Sequence, residues 1–389
     1  MDKKITIGLF IDTFFPMIDG VIMVVDNYAK RLAQYANVIV FAPQIPGKKY
    51  DDSKFNYKVI RCKSLNLPIV DYALPIPKLD FKFMKELRNS KLDIVHIHSP
   101  FSIGKMGINY AKKHHIPVIG SMHSQFKQDF LRATKSEKIA SILTKIVIKQ
   151  FNRCDECWAV NDEVANIFFK EYHYKELPKV MNNATDMSLV EDMEQAKNII
   201  NQKHNISPNE KVFLFVGRIN KLKNIFFIVD SIKILKKKCD FKFKMIFVGS
   251  GQDEEQLKKV IKSNNLENEI IMCGKVTDRE MLANYYARAD LFLFPSLYDA
   301  SSIVQIESAS QKTPTLFLEG AVTNATVTKD VNGFIVENDA EKYANKIMEI
   351  IKNKELYNMV SENAYKDIYV NWDDRVKEAY DMYIEKIGE

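Results

Sequence analysis

Short, branched, apolar runs alternate with segments of helical spacing along this chain, and that alternation leaves few folds open. In the first half ITIGLFI, VIVFAP, YKVIRC, DIVHIH, IPVIGSMH and ECWAV read as buried parallel strands. Strands covered on both faces lose the in-out alternation of a half-exposed sheet. Between them GVIMVVDNYAKRLAQYA, PKLDFKFMKELRNS and GKMGINYAKKHH show helical spacing. The second half repeats the design, with KVFLFVGRI, KFKMIFVGS, EIIMCG, DLFLFPS and TPTLFLEG as strands. FFIVDSIKILKKK, DEEQLKKVIKSNN, REMLANYYARA and VQIESASQK are its helices. This pattern predicts an α/β protein with two doubly wound parallel-sheet domains. Polar sequence from about Asp186 to Glu210 separates them, giving domains 1–185 and 186–369 before a helical C-terminal stretch. Ligands of open α/β sheets sit beyond the carboxyl ends of the strands, so a cleft between the two sheets is the expected site.

At 389 residues the chain is about twice an ordinary domain. Its 46% hydrophobic and 27% charged residues suit a globular protein with a full core. MDKKITIGLFID enters a strand pattern directly, without the basic–apolar–small signature of a secretory leader. No run approaches the eighteen apolar residues of a membrane span, so a soluble, cytoplasmic protein is expected. Cys62, Cys154, Cys157, Cys239 and Cys273 are scattered. CDEC offers one C-x-x-C pair without the second pair that zinc needs, which leaves ordinary reduced thiols. The net charge of +6 is concentrated: residues 101–150 hold nine Lys or Arg against Asp129 and Glu137. A local basic patch of this kind suits an anionic surface, and nothing in it calls for nucleic acid.

The residue types with chemistry fall at strand ends. Arg218 and Lys223 follow VFLFVG, where two cations suit a diphosphate, although KLK is also an ordinary surface loop. Asp299 and Glu307 lie eight residues apart across DASSIVQIE. Ser301, Ser302 and Ile303 should fall near a helix N-terminus, whose free amides suit phosphate, with Glu307 a turn further on and able to reach a diol. Read alone, Asp299 is equally a helix cap and Glu307 an exposed helix residue. Together the four offer cations for phosphates and carboxylates for hydroxyls, the two needs of a sugar nucleotide. Gly20 opens a helix after the first strand, where glycine permits close backbone approach or simply makes a turn. His123 ends an inner strand, and His96 and His98 share a strand face, an arrangement better suited to hydrogen bonding than to a metal with no third ligand.

One amphipathic helix is expected from about Thr134 to Arg153. Lys138, Lys145 and Lys149 share a face with Lys135 and Arg153 beside it, and Ile139, Leu143, Ile146 and Val147 lie mostly opposite. Such a helix either packs on the sheet by its apolar side or docks on an anionic membrane. Phe126, Phe130 and Leu131 upstream are equally insertion or core residues.

At these residues the chain resembles the family 4 retaining glycosyltransferases of the GT-B fold over nearly its whole length. GLFIDTFFPMIDGV looks like the family's first strand and glycine loop, and DIVHIHSPFSIG and IPVIGSMHS like its inner strands. VGRINKLKN matches the G-R-x4-K motif, DASSIVQIE the E-x7-E motif, and VNGFIVEN a downstream turn. The resemblance implies two Rossmann-like domains, an N-terminal one for the acceptor and a C-terminal one for a nucleotide-sugar donor. It implies that the last helix, 370–389 around Trp372, packs back on the first domain.

By the same resemblance Gly217, Arg218 and Lys223 hold the diphosphate with Ser301, Ser302, Ile303 and Val304. Asp299 bonds sugar hydroxyls, Glu307 the ribose, Gly20 approaches the phosphates and His123 the reacting sugar. Catalysis would fall to His123, Arg218, Lys223 and Asp299, without a metal or other cofactor. Three departures stand out: Asp299 replaces the family's Glu, Ser301-Ser302 its Phe-Gly, and Asn183-Ala184 its Asn-Gly.

The expectation is a retaining α-hexosyltransferase using a UDP-sugar, with glucose the first choice. Its acceptor would be a membrane lipid such as diacylglycerol, after the likeness to diacylglycerol glucosyltransferases of low-GC bacteria, and the protein would lie peripherally at the inner membrane face. Assembly of a surface polysaccharide or glycoprotein glycan is the alternative within the class. A non-catalytic GT-B partner of an active transferase is the alternative outside it.

Overall fold

The computed structural model describes residues 4–17, 19–48, 50–66 and 73–389; Ile18 of the glycine loop lies outside the described residues. The chain divides into two compact units. The first comprises Met1–Asn183 with Trp372–Glu389, the second Ala184–Asn371.

In the first unit the strands are β1 (Thr6–Phe10), β2 (Asn37–Gln44), β3 (Lys58–Asn66), β4 (Ala73–Pro75), β5 (Ile94–Ile97), β6 (Val118–Met122), β7 (Glu156–Ala159) and β8 (Lys179–Val180). They form one sheet in the order β4-β3-β2-β1-β5-β6-β7-β8. All neighbours are parallel except β3 and β4, which pair antiparallel. The parallel sheet carries one antiparallel edge strand: the six residues between β3 and β4 are too few for the crossover that parallel pairing needs. Helices α1 (Gly20–Leu32), α2 (Phe81–Asn89), α3 (Ser102–His114), α4 (Phe126–Thr134), α5 (Glu137–Phe151) and α6 (Asp162–Asn166) join the strands.

In the second unit α7 (Met193–His204) comes first, then β9 (Lys211–Val216), α8 (Ile225–Lys238), β10 (Phe243–Val248), α9 (Glu254–Ser263), β11 (Ile270–Gly274) and α10 (Arg279–Arg288). There follow β12 (Leu291–Phe294), α11 (Ile303–Ser310), β13 (Thr315–Leu318), β14 (Phe334–Val336), α12 (Ala340–Lys352) and α13 (Lys354–Asp367). The order β11-β10-β9-β12-β13-β14 is parallel throughout. The polar stretch 186–210 is no free linker: α7 belongs to this unit, with His204 Nε2 2.8 Å from the Tyr285 hydroxyl of α10.

The last helix, α14 (Trp372–Gly388), returns to the first unit. Trp372, Val376, Ala379 and Tyr383 are buried along one face. Trp372 meets Tyr28 of α1 edge-on, Tyr383 stacks on Trp158 of β7, and Arg31 pairs with Asp373 at 2.6 Å. Strand order reverses beside β1 in one sheet and beside β9 in the other, since each has neighbours reached by crossovers on opposite sides. In doubly wound sheets such switch points leave a crevice at the strand carboxyl ends.

Candidate functional site

In the second unit the switch point separates the loops after β9 and β12, and these carry Arg218, Lys223 and Asp299. The β9 loop is pressed onto the loop after β10. A Cβ on Gly249, whose φ is +144°, would stand 1.9 Å from the Gly217 carbonyl oxygen, so only glycine fits there. Asn220 is buried, and its side chain accepts from the Lys223 amide at 3.2 Å, fixing the turn that aims Lys223. Lys223 then donates to Asp299 of the neighbouring loop.

Asp299 also accepts from the fully buried Ser296 hydroxyl at 2.6 Å. Asp299 is thus not the cap of α11, a position held by Ser302. Ser301, Ser302, Ile303 and Val304 are half-buried around that helix start. Arg218 is exposed and, among the described residues, has no ion-pair partner. The loop after β9 thus carries an unpaired Arg218, while Lys223 is paired with Asp299 just before α11, and such groups can take phosphate oxygens and hydroxyls.

Glu307 is not an exposed helix residue. It is 4% exposed, with Arg279 Nη1 at 2.7 Å on one carboxylate oxygen and the Tyr286 hydroxyl at 3.0 Å on the other. Arg279 also reaches Asp186 at 2.6 Å. Burial pushes the Glu307 carboxyl above its ordinary range, opposed by the Arg279 guanidinium. A carboxylate has about four acceptor positions, so two bonds leave it able to receive a ligand hydroxyl. The cavity of about 530 Å³ that Arg279 and Asp186 border is not lined by Lys223 or Asp299. Arg279 and Tyr286 went unseen in the sequence. The available signal was a cation at the first position of α10, against the helix dipole.

The first unit holds Gly20 and His123. Asp19 caps α1 by accepting from the Ile22 amide at 2.9 Å. A Cβ on Gly20 would touch nothing within 4 Å, so protein packing does not demand glycine at that position. His123 Nε2 lies 3.1 Å from His98 Nδ1 with the rings stacked. His96 is held between the Tyr383 hydroxyl at 2.5 Å and Ser121 at 2.8 Å. Burial lowers His123 to a pKa of about 4 and lowers His96 and His98 well below the usual imidazole value. All three are neutral at pH 7. Among the described residues no group of three or more His, Cys, Asp or Glu is placed to hold a metal ion.

The basic segment differs from expectation. Lys135 adopts a left-handed conformation that ends α4, and Ser136 caps α5, so two helices replace one. Arg153 lies past α5, tied to Asn109 at 2.7 Å and Gln150 at 3.0 Å. Lys138, Lys145 and Lys149 are exposed. Ile139 and Ile146 are not opposite them: with Ile142 they are 47%, 54% and 51% exposed, while Ala140, Thr144, Val147, Ile148 and Phe151 form the packed face. Phe126 is a core residue at 8% exposure, Phe130 is half-buried and Leu131 is 39% exposed. No helix among the described residues is long and apolar enough to cross a membrane.

Known proteins share this architecture. The family model described as Glycosyltransferase Family 4 matches residues 18–189, and the model for glycosyl transferases group 1 matches 196–367. An alpha-monoglucosyldiacylglycerol synthase of Acholeplasma laidlawii is 27% identical over 92% of this chain and 91% of its own. One of the same name from Streptococcus pneumoniae is 24% identical over 96% and 85%. Among solved structures, Anabaena Alr3699/HepE in complex with UDP and glucose superposes with a TM-score of 0.74 at 16% identity, covering 97% of this chain and 99% of that one. A glycosyltransferase from Rickettsia africae ESF-5 gives 0.75 at 18%, covering 100% and 99%. Two doubly wound units, each matched by its own half of one enzyme family, place this chain among the GT-B glycosyltransferases of family 4.

Proposed function

We propose that the protein transfers a hexosyl group, glucosyl by first choice, from a UDP-sugar to a membrane lipid such as diacylglycerol, with retention of configuration. The observation that carries this reading is the Lys223–Asp299 pair at the switch point of the second sheet. Arg218 and Lys223 neutralise the diphosphate, with Gly217 and the backbone from Ser301 to Val304 beside it. Asp299 holds sugar hydroxyls and Glu307 the ribose. Gly20 leaves room for the phosphates, and neutral His123 offers a hydrogen bond to the reacting sugar. In the reaction the bond from the anomeric carbon to the β-phosphate oxygen breaks. The acceptor oxygen bonds that carbon on the same face, its proton passes to the departing phosphate, and fixed cations stabilise the charge that develops. No metal is needed in this scheme.

The lipid acceptor draws support from the two alpha-monoglucosyldiacylglycerol synthases among the relatives, and α5 then serves as a peripheral membrane contact. A second acceptor class, a growing glycan, is favoured by likeness to an Escherichia coli galactosyltransferase named for a diphosphoundecaprenol acceptor, 23% identical over 78% of each chain. A panel of UDP- and GDP-sugars offered with diacylglycerol vesicles or with polyprenyl-diphosphate sugars separates these, with products analysed by mass and anomeric coupling. An α-glucosyl lipid is the expected product. No transfer and no donor hydrolysis, with nucleotide still bound, would instead make the chain a non-catalytic partner. Asp299→Glu should lower turnover about tenfold, since Ser296 and Lys223 already grip the shorter arm; improved turnover would mean the site is not fitted to Asp.

A further inference from the structure

Beside one edge of the first sheet lies an apolar surface outside the residues assigned to the donor site. After β4 the chain turns through Pro77–Leu79 into α2. Leu79 is 70% and Phe81 86% exposed, the highest values among the described large hydrophobic residues.

Phe83 and Leu87 bury the inner side of α2. Phe81, Lys85 and Arg88 follow at the spacing of one outer face. Lys78 and Lys82 are exposed beside them. Between Lys58 and Arg88 the described acids are neutralised or hidden: Asp80 is buried and caps α2, and Glu86 pairs with Lys58 at 3.1 Å.

We propose that the start of α2, with Leu79 and Phe81 inside a collar of Lys78, Lys82, Lys85 and Arg88, seats on an anionic lipid bilayer. Apolar side chains that project instead of lining a groove suit a fluid layer, which closes around them, more than a protein surface, which must offer pockets. The collar has the complementary charge, each lysine near an anionic surface adding roughly fivefold to affinity. A second copy joined strand to strand fits poorly. β4 is three residues long, ends in Pro75 and is followed by Pro77, so it offers little edge to pair. The inference rests on the proposed lipid acceptor for its purpose and adds a surface apart from α5.

Phe81→Trp puts an exposed indole beside two buried ones, Trp158 and Trp372. With phosphatidylglycerol vesicles its emission should shift to the blue and be quenched by brominated acyl chains, with neither effect on pure phosphatidylcholine. Leu79→Glu with Phe81→Glu should weaken phosphatidylglycerol vesicle binding at least about tenfold while leaving the unfolding temperature unchanged. Emission that stays put while the protein sediments with vesicles would overturn the assignment. So would unchanged vesicle affinity in the double variant, or a dimer that the variant dissolves. None of these readouts needs a donor, so insertion without sugar transfer would sink only the proposed reaction, and transfer without insertion only the docking edge.

Discussion

Arg279 occupies the first position of a helix, where the macrodipole repels a cation. It stays there because Glu307 and Asp186 lie on either side of its guanidinium. Burial raises the Glu307 carboxyl above its ordinary value of 4.5, so its contribution to stability is full below that value and is lost as pH rises through the higher folded one. Removing Arg279 takes away the charge that opposes this loss. Arg279→Ala should cost about 2 kcal/mol at pH 7, below the usual figure for a broken buried pair because Arg279 is itself nearly half exposed. The deficit should shrink as pH falls through the raised Glu307 value toward pH 4, because the protonated carboxyl no longer needs the cation. Urea unfolding at both pH values tests this, and an equal deficit would mean Arg279 supplies something other than charge. The E-x7-E spacing made Glu307 visible in the sequence, but its partners were not. Arg279 is 28 residues away, and only the fold of α10 against α11 joins them. Asp299 was ambiguous for the opposite reason: a carboxylate just before a helix is the usual cap, and only Lys223 and Ser296 show it engaged elsewhere.

Elements were legible in proportion to their length. The long apolar strands of both sheets were plain because burial on two faces writes an unbroken run. β4, β8 and β14 have two or three residues each, too few to show any period. The break between α4 and α5 was hidden because Lys135 carries no mark of a left-handed residue, unlike the Gly or Asn usual there. That break rotates α5, so Ile139, Ile142 and Ile146 face outward in a row beside the lysines. A helix face opposite the core is ordinarily polar, and three isoleucines there need a use. Replacing all three by Ser should reduce binding to anionic vesicles about tenfold or more while leaving urea unfolding within about 0.5 kcal/mol per site. Loss of cooperative unfolding would instead make the row part of the fold.

The whole molecule has an acid-sensitive centre in its first unit. His123 is held near a pKa of about 4, whereas an unfolded imidazole titrates near 6.5. The unfolded chain therefore binds protons first, and stability falls as pH drops from about 6.5 toward 4. Between pH 7 and pH 5 this residue alone should cost about 2 kcal/mol. His123→Asn should flatten the pH dependence of unfolding by that share; an unchanged slope would mean the imidazole is already charged when folded. His96 in the same centre is completed by Tyr383 of α14, a helix reached only after residues 184–371 have been made. At about 5–20 residues per second, a ribosome needs roughly 10–40 s to cross that interval. Throughout it the emerging first unit lacks the indole, valine and tyrosine side chains of α14 that close its core, and carries an open apolar seam. The second unit, being continuous in sequence, is complete first. The nascent chain thus ripens from its middle outward, and its earliest half is the part a chaperone would hold longest.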